Sequence, residues 1–388
     1  MRLIHVLFLL LYLGSGPLSA DTTIELTDRC PPYFSLDSEH RCRLNTLYDL
    51  YPAANPQWGG YRVALPPRRD GYPPEQIALG RYLFFDPILS ADRDLSCAHC
   101  HHPKFSMADG RNRSIGRHGH GLGPGRSGGA ELPRAAPPLW NMAFQQQFFW
   151  DGRAGSLEQQ IETVLTNEDE LASSPKDLVS KLSAIPAYRR LFDQAFSSPK
   201  IEFEQVRTAL VAFECSLVSL NSAYDRYIHG AHDALSEQEI NGLQIFRSFA
   251  SRCSQCHTPP LFTSGQLAAT GVPAAAGLPF DVGAEATTHE PSLRGAFKVP
   301  TLRNIARTAP FMHAGQSQTL LDAVEFYNAN PGHAVPERHD LILHWHMVNP
   351  HLRNDEIADL VAFMKTLTDE TALPAVPERV PSGLPVPR

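Results

Sequence analysis

Cys97-Ala98-His99-Cys100-His101 and Cys253-Ser254-Gln255-Cys256-His257 are two copies of the pattern C-x-x-C-H in one chain. The spacing carries a specific chemistry. Two cysteine sulfurs can bond the vinyl groups of a porphyrin while the adjoining histidine binds its iron, which makes the run an attachment signature for c-type haem. A zinc or redox C-x-x-C is the competing reading. It does not call for the trailing histidine that both copies carry, and free dithiols oxidise in an exported chain. Two covalent haem c groups are therefore expected, one on Cys97 and Cys100 with His101 on the iron, the other on Cys253 and Cys256 with His257 on the iron.

The residues upstream of each motif share a plan. Pro74 to Phe85 (PEQIALGRYLFF) places apolar residues at helical spacing ahead of the first motif. Ser236-Glu237-Gln238-Glu239 is a capping box that opens a second helix, with Ile240, Leu243 and Phe246 as its apolar stripe. A helix followed by C-x-x-C-H thus occurs twice, a weak internal repeat. Further helices are expected over 156–165, 176–197, 203–228 and Asp355–Leu367, and strand signals are sparse. The predicted fold class is mainly α, with two cytochrome c-like haem domains and long loops. A length of 388 residues suits that count. The expected division is a signal peptide over 1–20, an extension over 21–74, a haem 1 domain over 75–230, a haem 2 domain over 231–375 and a loose tail over 376–388.

Thirty-three prolines and 26 glycines point to long ordered loops, above all from His102 to Arg134, which is dense in Gly, Arg and His. A net charge of −7 with no basic run argues against a nucleic-acid partner. Arg2, the apolar run Leu3–Leu13 and the small residues ending at Ala20 read as a secretory signal. No other stretch approaches eighteen apolar residues, so the mature chain is expected without a membrane span, periplasmic or otherwise exported. Cys30 and Cys42 flank a short polar loop and are expected to pair as a disulfide. Cys215 lies in an apolar run and reads as a buried small hydrophobe.

Several longer stretches carry a resemblance. Ala78 to Pro87, the first haem motif, Phe148-Phe149-Trp150-Asp151-Gly152-Arg153-Ala154 and Val299-Pro300-Thr301-Leu302-Arg303-Asn304-Ile305 resemble the bacterial di-haem cytochrome c peroxidase family, which includes MauG-type enzymes. The similarity runs over about residues 75–370. It implies that haem 1 is the peroxide site, that haem 2 is an electron reservoir, and that Trp150 bridges them. Ten residues beyond Trp150 stands Gln160, and ten further Glu170. By the resemblance Glu170 is the acid–base group that moves a proton between the oxygens of peroxide, and Gln160 positions peroxide or water. Glu168 is the neighbouring alternative in the acidic stretch Asn167-Glu168-Asp169-Glu170.

The chain departs from the family at three places. Many members keep a histidine in the loop after haem 1 that binds the resting iron. The aligned residue here is Arg117, with His118 and His120 beside it, so either histidine could reach the iron or the position could stay open as in MauG-type enzymes. The peroxidases place a Met as sixth ligand of haem 2, where this chain has Tyr327, as MauG-type members do. A phenolate is a hard anionic donor that favours oxidised iron, whereas a thioether favours ferrous iron. Met312 is the rival ligand. The family also holds a calcium between its domains, for which the carbonyls of Thr308 and Pro310 are candidates. Ala135 stands where the family has an asparagine ligand, which removes a hard oxygen donor.

The resemblance thus implies a di-haem oxidoreductase that reacts with hydrogen peroxide at haem 1 and shares oxidising equivalents with haem 2. The Tyr at 327 turns that expectation toward MauG-like oxidation of a residue on a partner protein. The alternatives are a cytochrome c peroxidase using a small redox protein as donor, and a non-enzymatic di-haem electron carrier. A carrier needs no acid–base group, so Glu170 and Gln160 count against it.

Overall fold

The computed structural model describes residues 24–51, 65–329 and 340–388. The expected signal segment lies outside the described residues. Among them, helices dominate: α1 (Leu47–Leu50), α2 (Pro74–Phe85), α3 (Leu157–Thr166), α4 (Pro175–Ala184), α5 (Pro186–Phe196), α6 (Phe203–Cys215), α7 (Ala223–Ile228), α8 (Glu237–Arg247), α9 (Cys253–Cys256), α10 (Glu285–Thr288), α11 (Leu320–Asn328) and α12 (Asn354–Lys365). Strands form only two short antiparallel pairs, β1 (Phe34–Leu36) with β2 (Cys42–Leu44) and β3 (Leu267–Ala269) with β4 (Ala296–Lys298). The mainly α expectation stands.

Two glycines set the packing that carries the motifs. A Cβ on Gly80 of α2 would lie 1.9 Å from the carbonyl oxygen of Ala209 on α6, so only glycine lets the two backbones cross there. Gly242 of α8 meets α12 in the same way, its Cβ position 2.0 Å from Asp359 O. Four residues on, Phe84 packs edge-on against Phe213 at 5.0 Å, and Phe246 packs against Phe363 at 5.1 Å. Each of these fully buried rings contributes roughly 1.5–3 kcal/mol. One hydrophobic cluster gathers around Phe84 and Phe213, another around Phe246 and Phe363. The repeat read from the sequence is therefore a repeat of helix crossings as well.

Elsewhere the elements differ from expectation. The helix expected over 176–197 is broken, because Pro186 holds Ile185 at an extended φ/ψ of −97°/112° and starts α5 afresh. The helix expected over 203–228 ends at Cys215, and α7 begins only where Ser222 and Asp225 form a capping box. The tail over 376–388, expected to be loose, is packed. Val380 is buried in the first cluster, and Ser382 Oγ donates to the buried carboxylate of Asp86 at 2.6 Å. Apolar residues at alternating positions, Val380, Leu384 and Val386, give the tail that hold. Cys30 and Cys42 form the expected disulfide, closing the β1–β2 hairpin. Cys215 is buried within the first cluster.

Candidate active site

Cys97, Cys100 and His101 line a cavity of about 630 Å³, walled in part by Leu278, Asp281, Lys298 and His313 from later in the chain, a size typical of cofactor sites. Neither cysteine is in a disulfide. Burial pushes the Cys100 thiol up to about 12 and raises Cys97 as well, keeping both protonated. Burial also lowers His101 to about 4, so its imidazole is neutral. His101 Nδ1 lies 3.2 Å from the carbonyl oxygen of Met107. That contact places the proton on Nδ1 and leaves Nε2 as the free donor, the arrangement a metal-binding histidine requires.

Gln160 and Glu170 line the same cavity. Ser156 caps α3 by accepting from Gln159 N at 3.2 Å, and Gln160 sits on the first turn of that helix. Beyond α3, Asn167 folds the chain back: its carbonyl accepts from Glu170 N at 3.1 Å and Ala172 N at 2.9 Å. Gly116 from the long loop closes against this turn, with Arg117 N donating to Asp169 O at 2.9 Å. A Cβ on Gly116 would stand 2.0 Å from that same oxygen. Burial raises Glu170 to about 7, against the pull of a hydrogen bond with Asn167 and of the Arg153 charge. Such a carboxyl can both accept and return a proton near neutrality. Glu168 is exposed and is not among the cavity residues.

His118 and His120 do not enter the cavity. Both are exposed, and His118 lies 3.6 Å from Asp92. The loop that carries them is held by Arg126, which is 3% exposed and donates to the carbonyls of Ile115, Gly116 and Gly121. A reciprocal pair between His120 and Ser127 backbones completes the knot. Three of its guanidinium N–H groups thus satisfy carbonyls that a loop this rich in glycine would otherwise bury unpaired.

Trp150 lines both this cavity and a second one. Its indole N–H donates to Ala135 O at 2.9 Å, and its carbonyl accepts from Lys298 N at 2.6 Å. The turn that presents it is closed by the Phe148–Ala154 bridge and turns at Gly152, with φ +69°. Next to it, Asp151 receives Arg134 at 2.7 Å, and Arg134 also grips Asp281 at 2.7 and 2.9 Å.

The second cavity, about 230 Å³, is lined by Cys253, Cys256 and His257, with Tyr327, Met312, Thr308 and Pro310. His257 repeats the logic of His101. Its Nδ1 faces Phe262 O at 3.3 Å and Pro300 O at 3.1 Å, and burial lowers it to about 4. Pro300 is presented by the Val299–Ile305 stretch. Arg303, fully buried, anchors that stretch by pairing with Asp225 and by donating to Pro260 O at 2.9 Å. Burial pushes the Tyr327 phenol up to about 12. Both cysteine–histidine sets therefore fit covalent haem. For calcium, the Thr308 and Pro310 candidates both border the second cavity, while Ala135 brings no side-chain oxygen to a cation that wants six to eight.

Sequence reasoning missed three features. Glu214 on α6 lines the first cavity, is 5% exposed, and its Oε2 has no hydrogen-bond partner; burial alone raises it to about 8. Its only signal was a carboxylate inside an apolar helical run. Arg134, at the end of the long loop, joins Asp151 to the sequence-distant Asp281. His344 and His346 line the second cavity from a segment that had no assignment.

Known proteins resemble this chain over most of its length. Residues 74–233 match the di-haem cytochrome c peroxidase family. The methylamine utilization protein MauG of Methylorubrum extorquens is 35% identical over 80% of this chain and 83% of its own length. The cytochrome c551 peroxidase of Nitrosomonas europaea is 32% identical over 81% of this chain and 86% of its own. The crystal structure of a MauG-like protein associated with microbial copper homeostasis superposes with a TM-score of 0.71 at 30% identity, covering 82% of this chain and 97% of that one.

Proposed function

The chain belongs to the di-haem cytochrome c peroxidase family, oxidoreductases acting on peroxide, and we propose that it is a MauG-like member that oxidises a residue of a partner protein. Residues 75–230 and 231–375 are then the haem 1 and haem 2 domains. The observation that carries the reading is the asymmetry of the two cavities. Glu170 and Gln160 share a cavity with His101 while both loop histidines stay outside it, and Tyr327 shares a cavity with His257. When bound, the two haem irons supply the peroxide site and take up its oxidising equivalents.

The side chains do the rest. Glu170 as carboxylate takes a proton from peroxide and returns it to the departing oxygen, while the Gln160 amide orients the substrate. His101 and His257 are held in the ligating tautomer by their Nδ1 contacts. Trp150, the wall common to both cavities, passes electrons between them. Tyr327, which shares the cavity of His257, would hold the iron of haem 2 with it, and a phenolate there would favour the oxidised form. The Cys30–Cys42 disulfide supports an exported, periplasmic setting, and no helix among the described residues is long and apolar enough to cross a membrane. Met312 in the second cavity favours a second reading, a cytochrome c peroxidase with a thioether ligand and a small redox protein as donor.

Anaerobic addition of peroxide to the fully ferric holoprotein separates the two. The MauG-like reading expects stoichiometric peroxide consumption with both haem spectra changing together. Reaction of the half-reduced form alone would sink it in favour of the peroxidase. With Glu170 raised to about 7, the rate should climb between about pH 6 and 8 as the carboxylate forms. Glu170→Gln should flatten that rise and slow consumption by roughly 10²–10⁴-fold.

A further inference from the structure

Trp345 is 73% exposed. Tryptophan is enriched among the residues that carry the binding energy of protein interfaces. It is not on a loose segment. His344 N donates to Ala269 O at 2.9 Å, tying the segment to β3, and Met347 N donates to His344 O at 2.8 Å. His344, His346 and Met347, on either side of the tryptophan, line the second cavity. The indole and the His346 ring have centroids 3.6 Å apart, and the His344 ring stacks at 6.0 Å. His346 Nδ1 is in turn 3.7 Å from Cys256 Sγ. Trp345, His346 and Cys256 therefore form a contiguous line of contact from solvent to an attachment sulfur of haem 2. Trp150 and Trp140 offer no such exit: Trp150 lies between the cavities, and Trp140 is fully buried.

We propose that Trp345 is the surface station through which haem 2 draws electrons from a partner protein that acts as a one-electron donor. The proposal rests on the peroxide reading above. Trp345 gives one electron through His346 to oxidised haem 2 and loses its indole proton to water. The partner then returns one electron, and solvent returns the proton. Hydrogen peroxide is the terminal oxidant. An indole suits the task because its ring is readily oxidised by one electron and its exposed face can touch a partner directly.

Two measurements test this on the ferric holoprotein. Repeated peroxide additions without a donor should place added oxygen on Trp345, read by peptide mass spectrometry. His346→Leu should largely remove that mark although the indole stays exposed, which separates wired oxidation from direct attack by peroxide. Trp345→Phe should react with peroxide at the wild-type rate, yet be re-reduced by a ferrous small c-type cytochrome roughly tenfold more slowly. Equal oxidation of Trp345 with and without His346, or an unchanged rate of re-reduction in Trp345→Phe, overturns the proposal. A wild-type protein inert to peroxide overturns the peroxide reading instead. Stopped-flow reduction of ferric haem 2 by the same cytochrome, slowed in Trp345→Phe or not, then decides the station by itself.

Discussion

Glu170 and Glu214 are carboxyls of one cavity held in different ways. Glu170 has Asn167 and the Arg153 charge against its burial and reaches about 7, whereas Glu214 has burial alone and reaches about 8. The folded value of Glu214 is raised above an unfolded value of about 4.3. Its contribution to stability is thus full below that value, is lost as pH rises from there, and levels off beyond about pH 8. Glu214→Gln should therefore gain on the wild type progressively between about pH 5 and 8, by a few degrees of Tm in thermal unfolding of the holoprotein. Parallel curves for the two proteins would show that Glu214 titrates normally. Among single residues, the motif cysteines and histidines could be read directly. Glu214 could not, because burial in a cavity has no local spelling.

At the level of elements, the crossings α2 with α6 and α8 with α12 rest on Gly80 and Gly242. Gly242→Ala puts a methyl group 2.0 Å from Asp359 O and 2.7 Å from Phe363 Cβ, where backbone cannot yield cheaply. A loss of about 1–3 kcal/mol is expected in thermal or denaturant unfolding. Gly155→Ala is the control, since nothing lies within 4 Å of its Cβ position, and an equal loss there would refute the crossing argument. The helices preceding both motifs were legible because their apolar spacing and the Ser236 cap are written locally. The break at Pro186 is also written locally, since proline keeps the residue before it out of the helical region. The gap between α6 and α7 had a weaker mark, the Ser222–Asp225 capping box.

For the whole molecule, a join between distant segments runs through Arg134. Its guanidinium holds Asp151, next to Trp150, and Asp281, and it lies over the Phe297 ring at 5.3 Å. This fixed cation stands close to Ala135, where the calcium ligand of the resemblance is missing. Arg134→Leu should cost on the order of 3 kcal/mol by leaving Asp281 uncompensated, while Asp151 keeps its pair with Arg153. Treatment of the wild type with a calcium chelator should leave its Tm unchanged. A clear drop in Tm on chelation, reversed by added calcium, would put the ion back into the join.

By itself the sequence pointed to two runs with the spacing for haem attachment, to dominant helices and to a repeated plan, and its resemblance to a family singled out Trp150, Gln160, Glu170 and Tyr327. The first three rest on spacings of a few residues, because attachment chemistry and helix periodicity are both local. Tertiary structure alone decided that Glu170 rather than Glu168 meets the first cavity, that Glu214 is buried in the wall of that cavity, that His118 and His120 stay in solvent, and that Trp345 reaches Cys256 through His346. Each of those outcomes depends on which distant segments converge: Gly116 on the turn after α3, α6 on α2, and the 344–347 segment on β3. Burial and contact are properties of that convergence, and no short window of residues contains it.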